Sequence, residues 1–142
     1  MKKLILIIIL IPLLVSSQTS KKEIVFLLFN KNKNEKCLIE NGSGSSVKVK
    51  KFQKKITKDK IYFSICDEDF IYTKRVSKTD TCSVKALKNI KIVTLKYLLK
   101  KYYANNEFKH HLFEKIYFVE KITETEIVKY EVYWSGEWST KN

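Results

Sequence analysis

Short apolar runs and alternation between apolar and polar residues dominate the first half of the chain, a pattern typical of β-strands. Residues 23–29 (EIVFLLF) form a continuous apolar run, which predicts a buried central strand. Residues 36–40 and 47–52 flank the Gly- and Ser-rich stretch 41–46, so we predict that they pair as a β-hairpin. Because valine alternates with lysine in the second of these segments, the outer face of the hairpin is expected to be basic.

Two further pairs of strands are predicted, one in the middle of the chain and one at its C-terminal end. Residues 61–66 and 70–76 alternate in polarity on either side of an acidic turn, which favours an antiparallel pair. Residues 115–122 and 128–134 show the same period of two and are joined around residues 123–126. The second pair is therefore predicted to be a C-terminal β-hairpin.

A segment with helical periodicity lies between these two pairs of strands. Apolar residues recur there at positions i, i+3, i+4 and i+7, which is typical of one face of an amphipathic helix. They are Leu95, Leu98, Leu99 and Tyr102. Thr94 stands in the N-cap position of this helix. Residues 83–89 are consistent with a shorter helix capped by Thr81 or Ser83, whereas residues 90–92 are equally consistent with the start of a strand.

The order of the predicted elements defines the fold class. Strands come first, a helical segment follows at about residues 83–113, and strands return at the C-terminal end. This order favours an α+β fold with a mostly antiparallel sheet, the helical segment packed on one face, and a C-terminal β-hairpin.

The N-terminus has the pattern of a secretory signal peptide. Two lysines precede an apolar run at residues 4–15, and residues 15–17 (VSS) are small enough for a signal peptidase. An apolar run of twelve residues is shorter than the ~20 residues that cross a bilayer as a helix. We therefore predict that residues 1–17 are removed, that residues 18–142 form a single small domain, and that the protein is secreted or periplasmic.

The chain without its signal peptide is strongly basic. The formal net charge is +13 for the whole chain and +11 without residues 1–17. Arg75 is the single arginine. Because specific nucleic-acid recognition usually relies on the planar guanidinium of arginine, we expect no specific nucleic-acid partner. An AT-rich coding sequence would also give a lysine-rich chain, so a solvated cationic surface without a ligand is the alternative explanation.

Lysines are most concentrated between residues 48 and 60, where Asp59 is the one acid. The candidate binding residues are Lys48, Lys50, Lys51, Lys54, Lys55, Lys58 and Lys60. Such a patch would attract an anionic envelope polymer or a membrane surface by electrostatics. The leading hypothesis is therefore a non-catalytic binding or structural protein with an anionic partner.

Three cysteines in a chain predicted to leave the cytosol favour one disulfide and one free thiol. Three pairings are possible. The pair of Cys66 and Cys82 is favoured because Cys66 ends a predicted strand and Cys82 precedes a predicted helix, which leaves Cys37 free. The alternative is that all three are small buried apolar side chains.

Cys82 is also a candidate nucleophile. A helix N-terminus favours the thiolate form of a cysteine, and His110 or His111 could act as its base. Residues 80–83 (DTCS) resemble the Asp-Cys-Ser that opens the catalytic helix of a family of exported cell-wall cysteine peptidases, with a Thr inserted and without the Gly that follows in that family. The alternative function is therefore a cysteine hydrolase acting on cell-envelope material.

No metal and no cofactor is predicted. Adjacent histidines such as His110 and His111 are expected to point apart on a helix or a strand, and no cysteine or carboxylate spacing completes a zinc site. The acidic residues 67–69 lack the alternating ligands and the Gly of a calcium loop.

Overall fold

The computed structural model describes residues 22–41, 44–105 and 107–135. The predicted signal peptide, residues 1–17, lies outside these residues and stays a prediction. The strands are β1 (Ile24–Phe29), β2 (Asn34–Asn41), β3 (Gly44–Lys51), β4 (Gln53–Ile56), β5 (Lys60–Ile65), β6 (Glu68–Thr73), β7 (Thr79–Ser83), β8 (Ile92–Val93), β9 (Lys115–Lys121) and β10 (Glu126–Trp134). The α-helix is α1 (Leu95–Ala104), and two 3-10 turns span Val84–Asn89 and Lys109–His111.

Eight strands form one mixed sheet with an antiparallel majority. Its order is β4-β5-β6-β10-β9-β1-β8, and β7 also pairs with β10. β1 runs parallel to both β8 and β9, and the other pairs of this sheet are antiparallel. The predicted pairing of β5 with β6 and the C-terminal hairpin of β9 and β10 are confirmed. The parallel pairs of β1 were not predicted.

The main sheet is strongly curled. β5 and β9 are separated by two intervening strands, so a flat sheet would place them about 14 Å apart. The ring of Phe63 on β5 nevertheless stacks on that of Phe118 on β9, with 4.9 Å between the centroids. The meander of β4, β5 and β6 therefore folds back over the face of β10, β9 and β1, and the core lies between the two layers.

Aromatic side chains fill that core. Phe118 is fully buried, and its ring centroid lies 4.9 Å from that of Phe70 as well as from that of Phe63. Trp134 stacks on Phe70 at 5.6 Å, and Phe29 contacts Phe63 edge-on at 5.2 Å. Large aromatic rings bury much surface with few rotatable bonds, so this cluster supplies most of the apolar contact between the layers.

Helix α1 forms as predicted. The hydroxyl of Thr94 accepts a hydrogen bond from the backbone N–H of Tyr97 at 3.3 Å, which satisfies one of the unpaired amides of the first turn. Leu95 and Leu98 are buried in the core. The rest of the predicted helical segment is different: Ser83 caps a 3-10 turn, and a two-residue strand, β8, precedes α1.

β2 and β3 form a separate two-stranded sheet, which confirms the predicted hairpin. A disulfide between Cys37 and Cys66 joins this hairpin to the turn between β5 and β6. Cys66 and Asp67 form that turn with φ angles of 54° and 63°, as in the type I′ turns that connect adjacent antiparallel strands. Lys50 adds an ion pair with Asp67 at 2.6 Å. The hairpin is thereby fixed to the main sheet.

The predicted pairing of Cys66 with Cys82 is wrong, although one disulfide and one free thiol are present in the described residues. Cys66 lies at the tip of a turn, where its side chain reaches β2. Cys82 lies within β7, opposite Ile127 of β10, and so belongs to another part of the sheet. Cys37, which we expected to be free, is 2% exposed and forms the bridge.

Candidate functional site

The lysines proposed to bind an anionic partner lie along one extended stretch of chain. We call residues 44–60 the basic segment; it contains β3, β4 and the turn into β5. Phe52 alone separates β3 from β4. Both strands are edges of their sheets among the described strands. The outer edge of each strand therefore has no neighbouring strand in the described part of the chain.

Five of the seven candidate lysines are exposed. They are Lys48, Lys51, Lys55, Lys58 and Lys60. The single acid of the segment, Asp59, faces Arg75 with 3.8 Å between the charged atoms, so another cation offsets it. The exposed lysines thus form a row along the chain, with Lys48 and Lys51 on opposite faces of the hairpin.

Lys54 does not belong to this row. Its side chain is 19% exposed and forms an ion pair with Glu120 of β9 inside the curl of the sheet. The Nζ atom lies 5.0 Å from the ring centroid of Tyr130 and 5.7 Å from that of Phe63. The hydroxyl of Tyr130 donates to Glu120 at 3.3 Å, and burial raises the pKa of Tyr130. Lys54 therefore holds the two layers of the main sheet together.

Lys50 is also engaged within the protein. It is half-buried against Asp67 in the ion pair described above, on the same face of the hairpin as the disulfide. The cross-strand register confirms this placement, because Cys37 lies opposite Lys48 and Glu35 opposite Lys50. The face that carries Cys37 and Lys50 is turned toward the body of the protein.

The opposite face of the hairpin is apolar at its centre, where we had expected a basic outer face. Leu38 and Val47 lie directly opposite each other and are each 64% exposed; Val49 is 61% exposed. Lys36 and Lys51 are exposed at the end of this face nearer the main sheet. We call these five residues the hairpin outer face.

Sequence periodicity could not show which face of the hairpin points outward. Alternate residues of a strand point to opposite faces, and alternation alone does not say which set is covered. The signal that decides it is the disulfide. Cys37 must face inward to reach Cys66, so its neighbour Leu38 faces outward. The apolar residues of the outer face were therefore missed because the cysteine pairing was misassigned.

The proposed nucleophile and base lie far apart. Cys82 is opposite Ile127 of β10, whereas the ring of His110 stacks on Tyr133 of the same strand at 5.4 Å. Six residues of a strand separate Ile127 from Tyr133, which corresponds to about 20 Å. The structure thus does not bring Cys82 together with His110 or His111.

The two histidines do not point apart as expected. The ring centroids of His110 and His111 are 4.0 Å apart, because the two residues lie in a tight 3-10 turn rather than in a regular helix or strand. Across the described ranges, no group of three or more His, Cys, Asp and Glu side chains is placed to hold a metal ion.

The acidic residues 67–69 form ion pairs and hydrogen bonds within the protein. Asp67 binds Lys50, and Asp69 accepts a hydrogen bond from Ser64. Glu68 accepts from Lys109 at 2.9 Å and from the indole N–H of Trp134 at 2.7 Å. This turn therefore holds the hairpin on one side and the 3-10 turn at residues 109–111 on the other.

A cleft of about 430 Å³ opens beside this second contact. Its walls include His110, Tyr133 and Trp134. The positive charges of Lys109 and Lys115 there are balanced by ion pairs with Glu68 and Glu131. The cleft consequently offers no concentrated charge for an anion, in contrast to the basic segment.

Comparisons with known protein families, with curated proteins and with solved structures found no match for this chain. None of the helices in the described part of the chain is long and apolar enough to cross a membrane. The functional inference therefore rests on the geometry of the basic segment and the hairpin.

Proposed function

We propose that the protein is exported and binds anionic surfaces without catalysis, through the exposed lysines of the basic segment. The observation that carries the proposal is the row of exposed lysines, Lys48, Lys51, Lys55 and Lys58, along two consecutive edge strands and the turn that follows them. The one acid of the segment is offset by Arg75. Such a row presents several ammonium groups at once to a surface or polymer that carries repeated phosphate, sulfate or carboxylate groups.

The chemistry of lysine suits this kind of binding. An ammonium group is a strongly hydrated point charge on a flexible stem, so it adapts to anions of varied geometry. Exposed pairs of opposite charge contribute little individually, so useful affinity requires many simultaneous contacts. The partner is therefore expected to be polyanionic, and binding is expected to weaken steeply as salt screens the charges.

A disulfide supports the export part of the proposal. The bond between Cys37 and Cys66 is of the kind that persists in oxidising compartments and is rare in the cytosol. An envelope polymer or an outer lipid surface is thus the kind of anion that the exported protein would encounter.

Edge-strand protection is a different explanation for the same lysines. Lysines on β3 and β4 would also prevent those edges from pairing with other chains. Glutamate protects an edge as well as lysine does, because either charge resists burial. Charge reversal therefore keeps edge protection and removes attraction to anions, which separates the two explanations.

The test compares two sets of four charge reversals. In the first variant Lys48, Lys51, Lys55 and Lys58 become Glu; Lys50 and Lys54 stay because they form ion pairs. In the matched control, four exposed lysines elsewhere become Glu: Lys85, Lys88, Lys96 and Lys100. Both variants have the same net charge, so a difference between them reports the location of the binding site.

Affinity for immobilised dextran sulfate is measured at about 0.05 and 0.15 M salt, where the screening length falls to about 8 Å. We expect the first variant to lose at least tenfold in affinity and the control to lose less than threefold. Equal losses would show that the protein is cationic all over without a defined surface. No binding of the wild-type protein at low salt would overturn the proposed function.

A further inference from the structure

The centre of the hairpin outer face is an aliphatic surface exposed to solvent. Leu38 lies directly across from Val47, and Val49 follows on the same face two residues later. Side chains in such positions are within about 5 to 8 Å of one another. Single exposed apolar residues are common on protein surfaces, but here three aliphatic side chains lie next to one another on one face.

Lysines border this aliphatic surface. Lys36 lies across from Val49, and Lys51 follows Val49 on the same face; both are exposed. Lys55 extends the positive charge along the basic segment, whereas Lys48 lies opposite Cys37 on the inner face. The combination of an aliphatic centre and several nearby ammonium groups matches a surface that is anionic outside and apolar immediately beneath.

A lipid leaflet has that layered chemistry and a hydrated polymer does not. In the interface of a bilayer, apolar side chains lie at the boundary of the acyl chains while lysines interact with anionic headgroups. We infer that the hairpin outer face inserts Leu38, Val47 and Val49 into the interface of an anionic lipid bilayer. This inference rests on the proposed function, because the lysines of the basic segment bring the hairpin to the surface.

A second copy of the chain is a less suitable occupant. Three aliphatic side chains alone make up only a small part of a standard protein interface. A stable protein interface needs about 800 Å² from each partner. Insertion into a lipid interface has no such requirement, since a small apolar surface acts together with electrostatic attraction.

The hairpin is also held in a fixed orientation for this contact. The disulfide of Cys37 and the ion pair of Lys50 with Asp67 both lie on its inner face, so the outer face is presented away from the main sheet. Binding by a surface held in this way orders few additional side chains, which lowers the entropic cost of association.

The experiment separates lipid insertion from attraction to anions. The test variant carries Leu38→Thr, Val47→Thr and Val49→Thr, which place β-branched residues of high strand propensity at all three positions and remove the aliphatic surface. The matched control carries Val76→Thr, Ile92→Thr and Ile122→Thr at exposed apolar positions outside the basic segment. Both variants and the wild-type protein are titrated with vesicles of phosphatidylcholine and phosphatidylglycerol (7:3), with phosphatidylcholine vesicles, and with dextran sulfate.

We expect the test variant to lose at least tenfold in affinity for the anionic vesicles and less than twofold for dextran sulfate, with the control unchanged for both. A second measurement places an environment-sensitive dye on Val47→Cys in a Cys82→Ser background. Its emission should shift to the blue with anionic vesicles, and lipids carrying a quencher at the top of the acyl chain should quench it.

The outcomes distinguish the two proposals. Wild-type binding to dextran sulfate together with vesicle binding that the three Thr substitutions do not weaken would overturn the insertion and leave the proposed function standing. An unshifted dye on bound protein would do the same. A wild-type dimer in sedimentation equilibrium that the test variant loses would assign the face to a second copy. Absence of binding to both dextran sulfate and anionic vesicles would overturn the proposed function itself.

Discussion

The curled main sheet and the β2–β3 hairpin distribute charged and apolar side chains in opposite ways. In the main sheet, Lys54 and Lys109 lie inside against aromatic rings and each has a carboxylate partner. In the hairpin, Leu38 and Val47 face solvent. A charge is tolerated inside only when it is paired, whereas the aliphatic side chains of the hairpin leave apolar surface in contact with water.

The two regions also differ in what stabilises them. Stacked aromatic rings and interior ion pairs hold the main sheet. The hairpin is a two-stranded sheet, which by itself is only marginally stable in water. A covalent bond to Cys66 and one exposed ion pair attach it to the rest of the protein. The hairpin should therefore depend on its disulfide far more than the main sheet does.

Removal of the disulfide should have the largest effect. The bond joins residues 29 positions apart, and the chain-entropy relation gives about 3.6 kcal/mol of stabilisation for such a loop. In the variant with Cys37→Ala and Cys66→Ala we expect the free energy of unfolding in urea to fall by about that amount. Hydrogen exchange should accelerate in β2 and β3 before it does in β9 and β10.

Cys82→Ala is the control for this variant, because it leaves the disulfide intact and should cost about 1 kcal/mol. Peptide mapping without reduction should recover Cys37 linked to Cys66, with one thiol free for alkylation. A linked peptide of Cys66 and Cys82 would contradict the observed pairing. Equal hydrogen-exchange protection of the hairpin with and without the disulfide would show that the hairpin does not depend on this bond.

Loss of the interior lysine should have the next largest effect. Lys54→Met leaves Glu120 unpaired at a site where both side chains are less than one fifth exposed, so we expect a loss of about 3 kcal/mol in the free energy of unfolding. Lys50→Met removes the more exposed ion pair of the hairpin and should cost less than about 1 kcal/mol.

The double variant Lys54→Met with Glu120→Gln sharpens this test. It removes the unpaired carboxylate and should recover much of the lost stability. Equal costs for Lys50→Met and Lys54→Met in urea unfolding would show that the two lysines do not differ in their environments, which would contradict the contrast between the two regions.

The smallest effect is expected at the border of the main sheet. The hydrogen bond from the Tyr97 hydroxyl to Glu23, 2.6 Å long, lowers the pKa of Glu23, with Lys101 and Lys91 adding to the effect. Glu23 thus contributes stability above the pKa of its unfolded form, and that contribution is lost as the pH falls through the lower pKa of its folded form. Because Glu23 is 40% exposed, the contribution is small.

Tyr97→Phe should raise the pKa of Glu23 toward its ordinary value and weaken the dependence of stability on acid pH. NMR titration of the Glu23 carboxyl measures the shift, and Lys96→Ala, an exposed change on the same helix, serves as the control. If the titration curve of Glu23 is unchanged in Tyr97→Phe, the hydrogen bond from Tyr97 is not the cause of the lowered pKa.

Local periodicity was sufficient to predict most of the individual strands and the α-helix. The apolar run of β1, the alternation in β9 and β10, and the stripe and cap of α1 each reflect interactions between residues close in sequence. The parallel pairing of β1 with β8 and β9 was not predictable in this way, because a continuous apolar strand does not encode the direction of its neighbours.

By itself the sequence determined the order and type of these elements, the excess of lysine and an odd number of cysteines. Only the tertiary structure decided which cysteine is free, that Lys54 lies inside the curled sheet, and that Val47 and Val49 face outward. The physical reason is that periodicity identifies two faces of a strand but not which face is covered. Covering depends on contacts between distant parts of the chain, here the bond of Cys37 to the turn at Cys66 and the closure of β5 over β9.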